Sequence, residues 1–146
     1  MRFLGLDVGD VRIGLALSDE TATLASGLPT LRCVGPRKDV KAVARIVRER
    51  EVGEVVVGMP WRLDGTMGSQ AEKVQAFIEN LRRALKVPVT TWDERLTSVA
   101  ADELLAQAGI RRKGRKEKVD QAAAVLILQG YLDTRAAPAP TPGGAE

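Results

Sequence analysis

The first quarter of the chain has the short apolar runs that are typical of β-strands. Residues 1–8 are predicted to form a buried strand, followed by a two-residue turn at 9–10 and a second strand at 11–18. A weaker third strand is predicted at 24–34, where Pro29 interrupts it. Because two strands joined by a tight turn must be antiparallel, this region predicts an antiparallel start to a sheet.

From residue 39 the spacing of apolar residues changes to the three- and four-residue intervals of amphipathic helices. Ser69 and Glu72 have the spacing of a capping box and indicate where the second helix starts. In chain order, the predicted elements are a helix from 39 to about 53, a strand at 54–58, a helix from 69 to about 86, a strand at 88–92, and helices at about 96–108 and 117–134. The predicted apolar face of the last helix consists of Val119, Ala122, Ala123, Leu126, Ile127 and Gly130.

This order of elements predicts an α/β fold with a mixed five-stranded sheet flanked by helices. The first three strands are antiparallel, and the last two, reached through helical crossovers, run parallel to a neighbour. Residues 1–135 are expected to form a single domain. Three of the seven prolines fall in residues 136–146, which are expected to be a disordered tail.

The amino-acid composition limits the kinds of catalytic and metal site that the chain can form. The 146 residues include no histidine and one cysteine, Cys33, which excludes histidine-dependent triads, a disulfide framework and a multi-cysteine zinc site. No apolar run reaches the length of a membrane span, and the chain begins without a signal-peptide pattern. We therefore expect a cytoplasmic protein that works without a membrane and whose catalysis, if any, depends on carboxylates, lysines, hydroxyls or an oxygen-bound metal.

Positive charge is concentrated near the last helix. The segment 111–118 carries six basic residues and one acidic residue, although the whole chain has a net charge of only +3. Such a segment fits a phosphate backbone, and it equally fits a solvated basic loop without a ligand. Aromatic residues are scarce, so any nucleic acid would be bound through backbone and shape more than through its bases.

Three carboxylates stand out by position. Asp7 lies in an otherwise apolar strand, Glu94 follows the fifth strand, and Asp120 lies early in the last helix beside the apolar Val119. Each also has an ordinary interpretation: Asp7 as a strand-end residue bonded to the turn, Glu94 with Asp93 as helix caps, and Asp120 as a residue favoured by the helix dipole. Together they could meet at one edge of the sheet. Oxygen donors alone favour Mg²⁺ or Mn²⁺, and two such ions are the usual apparatus of phosphodiester hydrolysis.

Five blocks in this order resemble the YqgF (RuvX-like) family over about residues 1–133. They are LGLDVG at 4–9, RIG at 12–14, VGMP at 57–60 with DG at 64–65, DERLTS at 93–98, and KEKVDQAA at 116–123. Members of this bacterial family are described as pre-16S rRNA nucleases and as Holliday-junction resolvases.

The resemblance implies an RNase H-like fold and a nuclease that uses divalent metal, with Asp7, Glu94 and Asp120 as metal ligands and catalytic residues. It also implies nucleic-acid-binding roles for a set of basic residues: Arg12, Arg95, Arg111, Arg112, Lys113, Arg115 and Lys116. Asp10 departs from the family pattern, where a lysine, threonine or similar residue is expected, and it adds negative charge near the site.

We therefore expect a metal-dependent nuclease, with two Mg²⁺ or Mn²⁺ ions, that cleaves structured RNA or branched DNA as a monomer or homodimer. Maturation of pre-16S rRNA and resolution of Holliday junctions both remain open. Two rival functions are an actin-like phosphotransferase, for which the chain lacks a second lobe, and a nucleic-acid-binding module without catalysis.

Overall fold

The computed structural model describes residues 1–96 and 112–136, with side chains described for 1–96 and 121–136. Its elements are β1 (Arg2–Val8), β2 (Arg12–Ser18), β3 (Ala25–Arg32), α1 (Pro36–Glu49), β4 (Val52–Met59), α2 (Ser69–Ala84), β5 (Val89–Asp93), a 3₁₀ turn (Glu94–Leu96) and α3 (Arg112–Ala136). The helix predicted at 96–108 and the tail from 137 onwards lie outside the described residues. No described helix is both long enough and apolar enough to cross a membrane.

The strands form one mixed sheet in the order β3-β2-β1-β4-β5. The pairs β1–β2 and β2–β3 are antiparallel, whereas β1–β4 and β4–β5 are parallel. The predicted fold class is therefore confirmed. Because β1, β4 and β5 point the same way, their carboxyl ends lie at one edge of the sheet, which is where open α/β sheets collect their functional groups.

One face of the sheet packs against α1 and α2. Along β1, Leu4 and Leu6 point to this side, and Val55 and Val57 of β4 lie beside them. The helices contribute fully buried residues such as Val43 of α1, together with the apolar stripe of α2 formed by Ala71, Val74, Phe77, Ile78 and Leu81. The result is a continuous apolar core between the sheet and the two helices.

The other face is covered by α3, which lies very close to the strands. A Cβ placed on Gly5 of β1 would lie 2.7 Å from the Leu128 Cβ and 3.2 Å from the Ala124 carbonyl oxygen. At the far end of the helix, Gly130 lies against the Trp92 ring in the same way. Glycine is required at such positions because no side chain fits between helix and sheet.

Several predicted boundaries are wrong. The β1–β2 connection has three residues, not two, and is closed by a 2.9 Å hydrogen bond that the Gly9 amide donates to the Arg12 carbonyl. α1 starts three residues early, since Pro36 occupies a first-turn position where no backbone donor is needed.

The capping box is absent. Ser69 is already inside α2, and the N-cap is Gly68, whose missing side chain leaves room for the Arg62 guanidinium.

The last helix differs most from its prediction. α3 begins at Arg112, so most of the basic segment lies in helix and not in a loop, in keeping with the good helix propensity of lysine and arginine. Among its described side chains, at 121–136, the least exposed are Ala124, Ile127, Leu128 and Leu132. The buried face is therefore rotated from the predicted one, since Ile127 alone of the predicted residues in this range is fully buried. Small, partly buried alanines on several sides of the helix obscure the pattern in the sequence.

Candidate active site

Asp7 lies near the carboxyl end of β1, between β2 and β4. Its neighbours Leu6 and Val8 pack towards α1 and α2. Because side chains alternate along a strand, Asp7 points to the opposite face, the one covered by α3, where it is half-buried. A carboxylate in this environment needs a partner, since burial of an isolated charge is costly.

Glu94 is that partner. β5 ends at Asp93, and Glu94 opens the 3₁₀ turn that follows. Its side chain reaches across the sheet edge and shares a hydrogen bond with Asp7. The structure thus brings together two of the three predicted carboxylates, which come from the ends of strands separated by β4.

Gly58 makes this approach possible. It lies on β4 opposite Trp92 of β5, between the strands that carry the two carboxylates. A Cβ at this position would lie 2.8 Å from Glu94 Cγ and 2.5 Å from the Ile127 side chain. Any larger residue would therefore displace Glu94 or α3. A glycine inside an apolar strand is the signal in the sequence that could have identified this residue.

The proximity of the two carboxylates changes the protonation of Glu94. Burial, the neighbouring charge and hydrogen bond of Asp7, and the charge of Asp93 together raise the pKa of Glu94 from 4.5 to about 8. In the protein without cations, one proton is therefore held between the two carboxyl groups near neutral pH. A pair of carboxylates that cannot both ionise is a suitable place for a cation to replace that proton.

The third predicted carboxylate, Asp120, belongs to α3, but its side chain lies outside the described part of the structure. Asp120 is one helical turn before Ala124, whose carbonyl oxygen approaches Gly5, two residues before Asp7 on β1. Among the described side chains, no three acidic or cysteine residues cluster closely enough to hold a metal ion. Asp120 as a ligand therefore stays a prediction.

The donors that are described fit a hard divalent cation. Two carboxyl groups lie in contact at the sheet edge, partly shielded from water, and supply only oxygen. Oxygen donors of this type suit Mg²⁺ and Mn²⁺ and do not suit metals that need sulfur or imidazole.

Asp93 and Arg95 form a local unit beside the carboxyl pair. The Arg95 guanidinium donates to both Asp93 oxygens at 2.6–3.0 Å, and the Arg95 amide donates to Asp93 Oδ1 at 3.0 Å. Asp93 thus caps the 3₁₀ turn, while Glu94 turns inwards to Asp7. Arg95 remains partly exposed, and its predicted contact with nucleic acid is untested.

The remaining predicted nucleic-acid-binding residues are distributed unevenly. Arg12 begins β2 on the same edge as Asp7, and its Nη1 is buried without a hydrogen-bond partner among the described residues. Arg111 lies outside the described residues. The side chains of Arg112, Lys113, Arg115 and Lys116 are not described, although their backbone forms the first turns of α3.

Asp10, which departs from the family pattern, has a partner of its own. The Lys73 ammonium group lies 3.3 Å from its carboxylate, and both side chains are exposed. This pair offsets the additional negative charge at the β1–β2 turn.

A second polar group on the α3 face was not anticipated from the sequence. The hydroxyl of Tyr131 donates to Glu54 at 2.6 Å, and Thr90 donates to the same carboxylate oxygen at 2.9 Å. Burial, the hydrogen bond and the charge of Glu54 raise the pKa of Tyr131. The group lies towards the other end of the strands, away from Asp7, and satisfies a half-buried carboxylate.

The fold is that of the RNase H-like Holliday junction resolvases. One similar structure is a fowlpox virus resolvase in complex with its substrate Holliday junction DNA. The match covers 94% of this chain and 100% of the resolvase chain, with a TM-score of 0.60 and 13% sequence identity. A second similar structure is RuvC of T. thermophilus in complex with a Holliday junction substrate. The match covers 93% of this chain and 97% of the RuvC chain, with a TM-score of 0.57 and 15% sequence identity. At such identities the similarity establishes the fold alone.

The chain belongs to the RuvX family, described as Holliday junction resolvase, whose model matches residues 1–134. A relative from Thermoanaerobacter pseudethanolicus is 48% identical over 136 residues, which cover 92% of this chain and 98% of the relative. A relative from Desulforamulus reducens is 49% identical over 136 residues, 93% of this chain and 99% of the relative. Both carry the name "Putative pre-16S rRNA nuclease". The family expected from the five sequence blocks is confirmed.

Proposed function

We propose that this protein is a metal-dependent nuclease that hydrolyses phosphodiester bonds in structured nucleic acid, with the 5′ end of pre-16S rRNA as its substrate. The observation that carries the proposal is the hydrogen-bonded pair of Asp7 and Glu94 at the carboxyl edge of the sheet. Membership of the RuvX family and the names of its close relatives support the same chemistry. The rRNA assignment rests on those names.

Asp7, Glu94 and Asp120 would hold two Mg²⁺ or Mn²⁺ ions through their carboxylate oxygens. When bound, such a pair stabilises the charge on the attacking and leaving oxygens during in-line displacement. The carboxyl groups of Asp7 and Glu94 must release their shared proton to take up this role, and Gly58 keeps Glu94 within reach of Asp7.

The basic residues would bind and orient the substrate. Arg12 lies at the same edge of the sheet as Asp7, and Arg95 lies beside Glu94, so both suit phosphates near the bond to be cleaved. Arg111, Arg112, Lys113, Arg115 and Lys116 would bind phosphates farther along the backbone, since five cations within six consecutive residues of the sequence concentrate positive charge. The domain responsible would comprise residues 1–135. The predicted tail at 136–146, of which Ala136 still belongs to α3, would be dispensable for cleavage.

The direct test is a cleavage panel with pre-16S rRNA fragments and matched four-way DNA junctions, in Mg²⁺, in Mn²⁺ and in EDTA. Asp7→Asn should abolish cleavage and leave substrate binding in place, because it removes a ligand and no phosphate contact. Asp133→Asn is the matched control, since Asp133 is exposed and bonded to Gln129 towards the end of α3. Full activity of Asp7→Asn, or equal cleavage in EDTA, would refute the mechanism.

Resolution of Holliday junctions is the second candidate, because the family is described by that activity. Preferential cleavage of the junction over rRNA in the same panel would favour junction resolution, and paired symmetric cuts would indicate a dimer.

The mode of cleavage can be tested with the same substrates. Labels at the end and at internal positions would separate endonuclease from exonuclease action. Binding without cleavage of any substrate would favour the non-catalytic module.

A further inference from the structure

Two arginines face each other at the edge of the sheet next to Asp7. Arg12 of β2 and Arg32 of β3 are direct cross-strand partners. The adjacent pair, Ile13 and Leu31, packs towards α1 and α2, so both arginines point to the side that carries Asp7. Cross-strand partners have Cβ atoms about 5 Å apart, which brings the two guanidinium groups within reach of one another.

Among the described side chains, no anion balances this arrangement. Like charges directly opposite each other destabilise a sheet, and the buried Nη1 of Arg12 lacks any hydrogen-bond partner among the described residues. Arg32 is exposed and, within the described part of the chain, forms neither a hydrogen bond nor an ion pair.

The carboxylates nearest to the two arginines contact other groups. Asp7 contacts Glu94, and Asp10 contacts Lys73. Asp39, beyond β3, is buried and accepts the backbone amide of Val34 at 3.0 Å. The two arginines are therefore left without a neutralising group among these acids.

We propose that Arg12 and Arg32 form a phosphate-binding clamp that holds a backbone phosphate of the nucleic acid next to the bond being cleaved. The inference deepens the proposed nuclease function and adds Arg32 as a positioning residue. Asp7 pairs with Gly14 on β2, and Arg12 lies two residues before Gly14 on that strand. Two residues of strand span about 7 Å, close to the spacing of successive backbone phosphates. Guanidinium groups bind phosphate oxygens in a bidentate manner, so two of them can enclose one phosphate.

The test uses Arg32, because it is exposed and its replacement leaves the core intact. Arg32→Ala should weaken binding of the cleavable nucleic acid roughly tenfold, the loss expected for one charge-assisted contact. It should also lower the salt dependence of binding by nearly one counterion. Arg32→Lys should recover the salt dependence and only part of the affinity, since a lysine lacks the planar fork. Arg45→Ala is the control, because Arg45 is an exposed arginine of α1, where it pairs with Glu49 on the other side of the sheet.

A second readout does not depend on nuclease activity. In low salt, Arg32→Ala should raise Tm by removing the like-charge pair, and inorganic phosphate should stabilise the original protein more than this variant at equal ionic strength. An unchanged salt dependence together with equal stabilisation by phosphate would overturn the clamp. If the phosphate effect depends on Arg32 while no nucleic acid is bound or cleaved, the anion site stands and the nuclease function fails.

Discussion

The two faces of the sheet are each covered by helix, but their contents differ. Beneath α1 and α2 the described residues form a core of aliphatic side chains, Phe77 and Met59, with helical stripes in register with the strands. Beneath α3 the buried apolar group is smaller and is interrupted by glycines and polar residues, among them Asp7, Glu54 and Glu94. The face under α1 and α2 therefore contributes mainly to stability. The face under α3 has fewer apolar contacts, and it is the one where charged groups lie close to a helix.

The carboxyl pair is the clearest expression of this difference. Two acids in contact at a partly dehydrated site destabilise the free protein, which explains the raised pKa of Glu94. Such strain is typical of functional sites.

The largest expected effect is on catalysis. Glu94→Gln should lower the cleavage rate by about a thousandfold, the scale seen when a central electrostatic group is removed from an active site. Its free energy of unfolding should not fall, because the change relieves the conflict with Asp7. Single-turnover cleavage and urea unfolding of the same preparation measure the two effects. A variant that keeps full activity, or one that loses both activity and stability, would contradict the assignment.

On the face under α1 and α2, we expect a substitution to lower stability and to leave the cleavage rate unchanged. Leu81 of α2 is fully buried in the apolar core, so Leu81→Ala should destabilise the protein by about 2–5 kcal/mol. At a temperature where the variant is still folded, its cleavage rate should match that of the original chain. Loss of activity in the folded variant would show that the two faces are not separate in function.

Gly58→Ala should affect both properties. The added methyl group meets Glu94 and Ile127, so we expect a loss of about 1–3 kcal/mol of stability and a lower cleavage rate as Glu94 moves from Asp7. Gly53→Ala is the control, since a methyl group there meets the flexible side chain of Met1. Normal activity of Gly58→Ala would mean that the position of Glu94 is not critical.

The last prediction concerns the pH dependence of stability. The folded protein keeps the Glu94 proton to about pH 8, whereas the unfolded chain releases it near 4.5. Between these values the folded state binds more protons, so this group makes the free energy of unfolding fall as pH rises. Urea unfolding in EDTA from pH 5 to 9 should show the fall, and Glu94→Gln should remove it. Identical profiles for the two proteins would contradict the raised pKa.

The sequence was sufficient for the parts of the fold that depend on local patterns. The apolar runs of β1 and β4 and the regular stripe of α2 predicted those elements. The position of Asp7 in a strand and of Glu94 just after the fifth strand indicated that the two could meet at one edge, whereas the parallel order of β1, β4 and β5 is known only from the structure. The buried face of α3 was not predictable in the same way, because alanine and glycine fit both helix–sheet contact and partial exposure.

A glycine inside an apolar strand marks Gly58 as unusual in the sequence, but the roles of Gly58 and Arg32 depend on tertiary neighbours. Gly58 is important because the Glu94 side chain packs directly against it. Arg32 is important because the strand register places it opposite Arg12. Local patterns do not determine either contact.

The most direct test of the central claim is anomalous diffraction from crystals grown with Mn²⁺. We predict two peaks a few ångströms apart, with carboxylate oxygens of Asp7, Glu94 and Asp120 about 2.1 Å from them. Crystals of Asp7→Asn should lose the peaks. Crystals of the original chain with Mn²⁺ elsewhere, and with Asp7 still hydrogen-bonded to Glu94, would contradict it.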